Sequence, residues 1–494
     1  MPSLVDWLLH DHPREAPALW DRGRWRSRGE LATAARAIGA LVRDRARPAG
    51  GVGRPIVPIV GESCFHQVAA YLGVLAAGAV PAPLPPTREE GLAAVLRETE
   101  ARLLFCDPAA LERVARHGVA ALPWDAASAG ELHGPTDVDD AALAVLLYTS
   151  GSTGLPRGVM LSGRSLRWNA EAILDFLPLT SADRALTTLP FYYCYGLSVL
   201  HTHLVAGASV VLNPDGLADP TLDLMAAVAA TGVPGVPSFF QSLVAREALA
   251  RRSLPSLRYF MVSGGKLHEP VIRALRAAAP RADVILRYGI TEVTAAASYL
   301  PAAELDRRPG SIGRGLRGAP LAVERGDGVA VTPGADEVGE IVVRGEHVAL
   351  GYFRDPEGTR RCFAPGVYRT GDLARIDADG YVSIVGRERE FVKTGGHRVS
   401  PQEIEDVIAL FPEVQEVGVF GIAHAGRGEA LVAAVVTRPG CALTLTELRR
   451  QCTAQLPAFK IPVELHVVPA LPRTAAGKVD RRALPSACRA KRSA

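Results

Sequence analysis

The stretch Leu143–Met160, LAVLLYTSGSTGLPRGVM, decides the fold. The apolar run Leu143–Tyr148 predicts a buried strand, and Val159–Leu161 predicts a second one directly after it. The segment between them is rich in glycine and hydroxyl groups and carries one arginine: Thr149, Ser150, Gly151, Ser152, Thr153, Gly154 and Arg157. Glycines let successive backbone N–H groups converge on one anion, and hydroxyls and a fixed positive charge add to that. The stretch therefore predicts a phosphate-binding hairpin.

A plain surface turn is the alternative interpretation of the same segment. A solvated linker rarely joins two apolar strands directly, which favours a tight functional hairpin. The G-x-x-x-x-G-K-[ST] phosphate loop is a poor match, because the segment lacks the Gly-Lys-Ser/Thr ending. The string YTSGSTGLPRGV instead closely resembles the nucleotide-loop signature of the adenylate-forming superfamily. This superfamily includes acyl-CoA synthetases, adenylation domains of nonribosomal peptide synthetases and luciferases.

Composition favours a globular enzyme of at least two units. The chain has 494 residues, of which 48% are hydrophobic, and its 55 basic and 52 acidic residues leave a net charge of only +3. This balance gives no case for a nucleic-acid or membrane-surface partner. The seven cysteines stand singly, as expected of reduced thiols. The N-terminus has no basic leader, and glycines and prolines interrupt the most apolar region, Val68–Leu84. We therefore expect no membrane span and a cytoplasmic location.

The order of predicted elements indicates an α/β protein. Up to about residue 140, strands at Pro55–Val60, Ala79–Pro83 and Leu103–Cys106 alternate with helices at Leu31–Arg43, Cys64–Ala77 and Leu92–Thr99. After the hairpin the pattern repeats, with strands at Ala185–Thr188, Ser209–Leu212, Gly235–Val236, Tyr259–Ser263 and Val284–Arg287 and helices at Pro220–Ala230 and Pro270–Ala278. Two α/β layers follow from this repetition.

Beyond about Gly310, short strands separated by turns predict a small antiparallel unit. These strands are Ala322–Arg325, Gly339–Arg344, Val367–Asp372, Ala374–Asp377 and Tyr381–Val385. The last hundred or so residues predict a compact α+β module, with elements at Pro401–Leu410, Val414–Ile422, Ala430–Thr437 and Thr446–Leu456. We therefore predict a large N-terminal domain, residues 1–387, and a small α+β C-terminal domain, residues 388–494. The resemblance implies that the small domain rotates about a hinge.

The segment Tyr288-Gly289-Ile290-Thr291-Glu292 follows a predicted strand, at the edge where open α/β sheets bind ligands. Thr291 can hydrogen-bond a phosphate, and Glu292 offers the hard oxygen ligand that Mg²⁺ prefers. Helix capping is the alternative role for a Thr-Glu pair. The segment resembles the superfamily's Tyr-Gly-x-Thr-Glu motif, which implies that Tyr288 and Gly289 also line the nucleotide site.

Two more segments resemble parts of the superfamily's nucleotide site. Gly264 and Gly265 end a predicted strand, resemble the adenine-side wall and permit close approach of a flat ring; Lys266 after them has the character of a solvated neighbour. Thr370-Gly371-Asp372 resembles the motif whose carboxylate accepts hydrogen bonds from both ribose hydroxyls, and Arg387 resembles its partner on the ribose or phosphates. An ordinary surface ion pair is the alternative for the last two residues.

The C-terminal string PRTAAGKVDRR, which contains Lys478, resembles the superfamily's terminal motif. That resemblance implies that Lys478 bridges the substrate carboxylate and the α-phosphate. The chemistry calls for such a cation, because attack of a carboxylate on a phosphate brings two anions together. A point charge placed where charge accumulates lowers that barrier by roughly 3 to 4 kcal/mol.

The superfamily runs two half-reactions, acyl-adenylate formation and thioester formation, by rotating the small domain between them. Residues 386–398 resemble the region where this rotation takes place. Arg389 falls at the hinge, and the loop carrying Lys393, Gly396 and Arg398 falls where a loop swings in for thioester formation. The superfamily usually has an aromatic residue after the glycine of this loop, where this chain has His397. The match to the superfamily is therefore loose in this loop, which would lie beside the channel for the acceptor thiol.

The segment LPFYYCYG resembles the substrate-side motif, with Tyr193 at its variable position. Because no carboxylate lies between residues 191 and 198, an α-amino acid substrate is disfavoured. Tyr192, Tyr193 and Tyr195 could be core aromatics, but three tyrosines in four residues favour a wall for an apolar or aromatic acid. Phe239 and Gly265 are expected to line the same pocket.

Taken together, the motifs predict an ATP- and Mg²⁺-dependent ligase that forms an acyl-AMP and then an acyl thioester. The acceptor is CoA or the pantetheine of an acyl or peptidyl carrier protein, and the substrate is a small carboxylic acid. One alternative passes the adenylate to an amine or another non-thiol nucleophile. A non-catalytic nucleotide or acyl sensor is disfavoured, because a binder does not need Lys478. The chain is expected to be a monomer or a homodimer.

Overall fold

The computed structural model describes most of the chain. Its described residues are 3–9, 11–46, 53–86, 89–125, 138–150, 156–213, 218–246, 249, 252–424, 426, 428–474 and 478–489. Gly151, Ser152, Thr153 and Gly154 of the predicted phosphate hairpin lie outside them, and so do residues 475–477 before Lys478.

Two mostly parallel sheets form the large N-terminal part. In one, every pairing is parallel and the strand order is Val80–Leu84, Ile56–Val60, Leu103–Cys106 and Ala120–Pro123. The other has the order Ser298–Leu300, Asp283–Tyr288, Tyr259–Val262, Gly232–Gly235, Arg184–Thr187, Ser209–Leu212, Pro17–Asp21 and Arg24–Ser27, with antiparallel strands only at its two edges. The predicted two α/β layers are confirmed.

The second sheet extends further than the sequence predicted. The N-terminal hairpin of Pro17–Asp21 and Arg24–Ser27 joins its edge, where Leu19 and Trp20 pair in parallel with Val210 and Val211. This pairing links residues about 190 positions apart, which local sequence patterns do not report.

The strand Leu143–Ser150 pairs antiparallel with Pro156–Ser162, so the stretch Leu143–Met160 forms the predicted hairpin. Gly351–Tyr352 adds to its free edge, opposite Met160 and Val159. An antiparallel sheet follows, with the order Ser311–Gly313, Val382–Arg387, Val367–Ile376, Gly339–Arg344 and Ala322–Glu324, and with Phe363–Ala364 also on Val367–Ile376. A short ribbon pairs Gly315–Leu316 with Ala319–Pro320.

The prediction of two strands at 367–372 and 374–377 was wrong, because one strand, Val367–Ile376, covers both. Its pairing with Val382–Arg387 shifts register between Leu373 and Ala374, and its pairing with Gly339–Arg344 shifts between Arg369 and Leu373. The predicted break thus falls at an irregularity inside one strand, near Gly371 with its left-handed φ of +72°.

The C-terminal sheet has the order His397–Val399, Val392–Thr394, Gly428–Thr437 and Val414–His424, with Glu464–Val467 in parallel with Gly428–Thr437. The α-helices are Leu4–Leu9, Arg28–Arg45, Phe65–Ala76, Glu89–Thr99, Leu111–Ala115, Gly163–Phe176, Cys194–Val205, Ala218–Ala227, Pro237–Ala245, Glu269–Ala278, Pro356–Cys362, Pro401–Ile408, Leu445–Thr453 and Leu484–Arg489. Single 3₁₀ turns lie at Pro108–Ala110, Thr291–Val293, Ala302–Glu304 and Ala458–Lys460. None of the helices in the described part is long and apolar enough to cross a membrane.

The hydrophobic cores follow the same division into a large and a small part. Buried clusters of the C-terminal sheet draw only on residues 392–488, for example Val399, Ile404 and Leu431. The clusters of the preceding sheets end at Ile384. The chain segment between these cores, Arg387–Glu390, runs through an exposed turn.

Candidate active site

Asp372 is the centre of a buried polar cluster beside the end of the parallel sheet. Its side chain is 3% exposed and accepts hydrogen bonds from Tyr288 Oη at 2.6 Å and Arg387 Nε at 2.7 Å. The neighbouring carboxylate raises the pKa of Arg387, while burial, together with Asp372, raises the pKa of Tyr288. Each carboxylate oxygen keeps a free lone pair for a further donor, so the group can still accept from a sugar diol.

Glu292 lies in the 3₁₀ turn Thr291–Val293, directly after the strand that ends at Tyr288. Its Oε1 accepts a hydrogen bond from Tyr352 Oη at 3.0 Å, and Tyr352 Oη lies 3.3 Å from Tyr368 Oη. The sequence analysis missed both tyrosines, because they come from strands 60 or more residues away. They hold the carboxylate in one orientation and leave its second oxygen without a protein partner among the described residues.

Arg157 connects the predicted phosphate hairpin to Glu292. Its guanidinium lies 4.5 Å from the centre of the Tyr352 ring, and its Nε is 3.4 Å from Asp355 Oδ2. Thr149 Oγ1 donates to the Arg157 carbonyl at 3.4 Å. Ser150 ends the first strand of the hairpin. Arg157 is thus a charge partner of Asp355 at the base of the hairpin and stacks on the tyrosine that orients Glu292.

Lys478 reaches this cluster from the C-terminal part of the chain. The residue as a whole is exposed, yet dense protein surroundings of the ammonium lower its pKa, and nearby Arg387 lowers it further. Asp372, Glu292 and Cys194 act on it in the opposite direction. The structure therefore brings Lys478 within electrostatic range of Asp372, Arg387 and Glu292.

Thr291 and Cys194 extend the same cluster toward the parallel sheet. Thr291 hydrogen-bonds the Cys194 thiol, whose pKa is raised by burial. The charges of Arg287 and Lys478 lower the pKa of this thiol, and the charge of Glu292 raises it. Cys194 begins the helix Cys194–Val205 and was not singled out from the sequence.

Glycines provide the tight approaches around the cluster. A Cβ on Gly264 would lie 3.5 Å from Lys478 Cε, and one on Gly265 would lie 3.4 Å from Pro237 Cγ. A Cβ on Gly289 would overlap the Ala295 carbonyl oxygen at 1.6 Å, so only glycine fits there. Gly264 thus lies beside the end of Lys478, and Gly265 lies beside the Pro237 ring.

The predicted acid pocket is only partly as expected. Tyr192 and Tyr193 pack edge to face with ring centres 4.8 Å apart. Burial raises the pKa of both hydroxyls, and the nearby Glu62 carboxylate raises it further. Tyr195 is different, because it is buried in the core and its hydroxyl donates to the Met261 carbonyl at 2.6 Å. Tyr195 is therefore not a wall residue: it lies inside the helix Cys194–Val205, whereas Tyr192 and Tyr193 precede that helix. Phe239 is half-buried and packs on Phe240 at 5.4 Å.

Arg287 is a buried cation without a carboxylate partner among the described residues. It is 5% exposed, both its amino groups reach only the Ser198 hydroxyl at 3.2 and 3.3 Å, and its Nε–H has no partner in the described part of the structure. The guanidinium lies 4.2 Å from the centre of the Tyr195 ring, and burial lowers its pKa. A charged residue at the end of an otherwise apolar strand was the available sequence signal.

The predicted hinge and thioester loop lie apart from this cluster. Arg389 is exposed in the turn after Arg387. Lys393 and Gly396 lie on the hairpin of Val392–Thr394 and His397–Val399, where the Lys393 amide donates to Glu429 Oε2 at 2.6 Å. Arg398 packs over the Phe391 ring at 4.6 Å and donates to the Glu388 carbonyl at 2.8 Å. No contact among the described residues joins this hairpin to Asp372 or Glu292.

The residues present fit Mg²⁺ held together with a nucleotide. Within the described residues, no group of three or more His, Cys, Asp or Glu side chains forms a metal site. Mg²⁺ commonly binds through one or two carboxylates and completes its shell with substrate phosphates and water. The oriented Glu292 carboxylate, with one oxygen left open, matches that mode.

Comparison with known proteins assigns the family. The AMP-binding enzyme profile matches residues 6–353, and the AMP-binding enzyme C-terminal domain profile matches residues 403–478. The indoleacetate–CoA ligase of Aromatoleum aromaticum is 36% identical over 339 residues, which cover 68% of this chain and 66% of that ligase. The sulfoacetate–CoA ligase of Cupriavidus necator is 33% identical over 480 residues, covering 93% of this chain and 92% of that one.

Among solved structures, ATP-bound MatB from Rhodopseudomonas palustris superposes with a TM-score of 0.89 at 31% identity. The superposition covers 98% of each chain, so the fold agrees over both the large and the small part. The chain therefore belongs to the adenylate-forming superfamily of AMP-binding enzymes, and within it to the ATP-dependent acid–thiol ligases.

Proposed function

We propose that this protein activates a carboxylic acid with ATP as an acyl-AMP and then transfers the acyl group to CoA. The observation that carries the proposal is the meeting of Lys478 with Asp372, Arg387 and Glu292, which come from three separate regions of the chain. A cation from one domain that completes an anion-binding cluster in the other is the arrangement that carboxylate adenylation requires.

Each residue of the cluster has a role that its surroundings support. Asp372 is proposed to accept hydrogen bonds from the ribose hydroxyls, and Tyr288 and Arg387 fix the orientation of its carboxylate. Lys478 is proposed to lie between the acid carboxylate and the α-phosphate, where its charge offsets the repulsion of the two anions. Thr291 and the hairpin 149–157 are proposed to hold phosphate oxygens, and Gly264 and Gly265 to face the adenine ring. Mg²⁺, bound through Glu292, would neutralise developing charge on the pyrophosphate leaving group.

The first candidate substrate is an aromatic or apolar acid without an α-amino group. Tyr192, Tyr193 and Phe239 supply aromatic surface, and indoleacetate–CoA ligase is named for an acid of this class. We expect Tyr193→Ala to raise the KM for such an acid roughly tenfold or more while leaving the KM for ATP unchanged. A parallel change in both KM values would contradict the pocket assignment.

A second candidate substrate is an acid with a second anionic group. Arg287 is a buried cation that lacks an anion, and such a charge is costly unless a partner is supplied. Sulfoacetate–CoA ligase is named for an acid of this kind. A panel of phenylacetate, benzoate, succinate and sulfoacetate separates the two candidates. The Arg287→Met variant should lose activity only toward the dianions, succinate and sulfoacetate.

The test of the function is carboxylate-dependent exchange of pyrophosphate into ATP, followed by thioester formation with CoA. Exchange with at least one acid of the panel is expected, and exchange with none would refute the ligase. Hydroxylamine in place of CoA traps the acyl-AMP as a hydroxamate and so detects adenylation by itself. Holo carrier proteins, which bear the pantetheine thiol, can be added to the same assay as a second acceptor.

We also propose the domain boundary at residues 387 and 388 and a rotation about Arg389. The separate hydrophobic cores and the exposed turn between them support this division. In the rotated state, Lys393, Gly396 and Arg398 would replace Lys478 at the acyl-AMP. The seven free cysteines and the use of ATP and CoA support a cytoplasmic location.

A further inference from the structure

Lys266 has a partner in the C-terminal part of the chain, although its sequence context suggested a solvated side chain. Its Nζ donates to Asp406 Oδ2 at 2.6 Å, and the two side chains are only 32% and 30% exposed. Asp406 lies on the helix Pro401–Ile408, 140 residues further along the chain. The ion pair therefore joins the two proposed domains.

The Asp406 carboxylate is fixed from its own side as well. Its other oxygen, Oδ1, accepts a hydrogen bond from Gln402 Nε2 at 3.1 Å, one helical turn earlier. Both carboxylate oxygens are thus engaged, one within the helix and one across the boundary. A carboxylate held in this way offers Lys266 a defined point of attachment rather than a mobile surface charge.

The same helix is tied to the segment that carries Lys478. Glu405, next to Asp406, is buried, and its Oε2 accepts from Arg481 at 2.5 Å. Arg481 follows Lys478 by three residues and also contacts Glu390 Oε2 at 2.6 Å, beside the proposed hinge. A shift of the helix would therefore displace the Lys478 segment with it.

Both connections end on one short segment of the large domain. A Cβ on Gly264 would lie 3.5 Å from Lys478 Cε, while Lys266, two residues later, holds Asp406. The helix and the lysine segment are thus docked on neighbouring residues of the same strand end. Loss of the Lys266–Asp406 ion pair would therefore also weaken the contact of the Lys478 segment with Gly264.

From these contacts we infer that Lys266 is a positioning residue: its ion pair with Asp406 holds the small domain where Lys478 reaches the acid and the α-phosphate. The inference rests on the proposed two-step function. It predicts that the pair supports adenylation and not thioester formation, because the second step uses a rotated small domain in which the pair is broken.

The test measures the two half-reactions separately in Lys266→Met and Asp406→Asn. Adenylation is followed by pyrophosphate exchange, and the thioester step by adding synthetic acyl-AMP and CoA. Since partly exposed ion pairs contribute modestly, adenylation should fall about two- to fivefold in each variant. Thioester formation from supplied acyl-AMP should stay at the wild-type rate or rise.

Two further variants make the test specific. The charge swap Lys266→Asp with Asp406→Lys should restore most of the lost adenylation, because the pair is rebuilt in reverse. Lys460→Met is the matched control, since Lys460 pairs with Glu403 on the same helix but within the small domain. It should change neither half-reaction by as much as twofold.

Equal losses in both half-reactions, no loss in either, or a swap that restores nothing would overturn the inference. A selective loss in Lys460→Met as large as that in Lys266→Met would also overturn it. Failure of the proposed function is distinguishable from these results, because the wild-type protein would then show no exchange with any acid.

Discussion

Removing the Lys478 charge should separate the two half-reactions by about two to three orders of magnitude. Lys478→Met keeps the length of the side chain and its contact beside Gly264 but removes the ammonium. Arg387, the other cation near Lys478, cannot substitute for it, because its Nε is committed to Asp372 at 2.7 Å. The full contribution of one electrostatic donor is then lost, which is about 3 to 4 kcal/mol, or 10² to 10³ in rate.

The assay is pyrophosphate exchange under saturating acid and ATP, with thioester formation from supplied acyl-AMP as the internal control. The second step is proposed to use a different hairpin, the one that carries Lys393, Gly396 and Arg398, so it should continue at the wild-type rate and would also show that the variant is folded. Retention of more than a tenth of the exchange rate would refute the role of Lys478. Loss of both steps would mean that the residue supports the structure and not the chemistry.

The pH dependence of the same step provides a second measurement. The dense protein surroundings of the ammonium, and after them Arg387, lower the pKa of Lys478. In the proposed mechanism the cationic form is the active one, so activity should be present below this pKa and lost above it. The alkaline limb of kcat/KM for adenylation should therefore appear below the ordinary lysine value. The thioester step from supplied acyl-AMP should lack this limb, and a limb shared by both steps would point to another group.

Two other substitutions test the remaining parts of the site. Asp372→Asn removes a charged acceptor from Arg387 and Tyr288. The KM for ATP should therefore rise about 10- to 100-fold, while the KM for the acid should change little. An unchanged KM for ATP would exclude contact between Asp372 and the ribose. Arg398→Ala frees the hairpin from the Glu388 carbonyl and the Phe391 ring, so thioester formation should slow by about tenfold with adenylation preserved. A slower adenylation step in this variant would count against the assignment of the hairpin.

The sequence predicted the elements whose signals are local. The strands Leu103–Cys106, Ser209–Leu212 and Gly339–Arg344 have the predicted bounds, because each is an apolar run enclosed by turn residues. The nucleotide-side cluster was predicted by its motifs, which place polar side chains at strand ends and glycines at tight approaches. Asp372 and Arg387 are direct partners across two strands, so their meeting follows from the register of one hairpin.

Features that depend on distant pairing could not be predicted in this way. The N-terminal hairpin at Pro17–Ser27 pairs with a strand about 190 residues away, and Lys266 with a helix 140 residues away. Tyr195 was misplaced because the three tyrosines were treated as one wall, whereas Tyr195 lies in the helix that starts at Cys194 and the other two precede it. The orientation of Glu292 by Tyr352 likewise arises only in the folded chain.

The strand Asp283–Tyr288 has a consequence for how such enzymes diverge. Neighbouring residues of a strand point to opposite faces, and here Tyr288 points to Asp372 while Arg287 points to Ser198 and Tyr195. If Arg287 faces the acid and Asp372 the ribose, as proposed, a substitution at position 287 would change the charge near the acid from the strand face opposite to the Tyr288–Asp372 contact. Selection would in this way change the acid that is activated while the ATP-binding residues are kept.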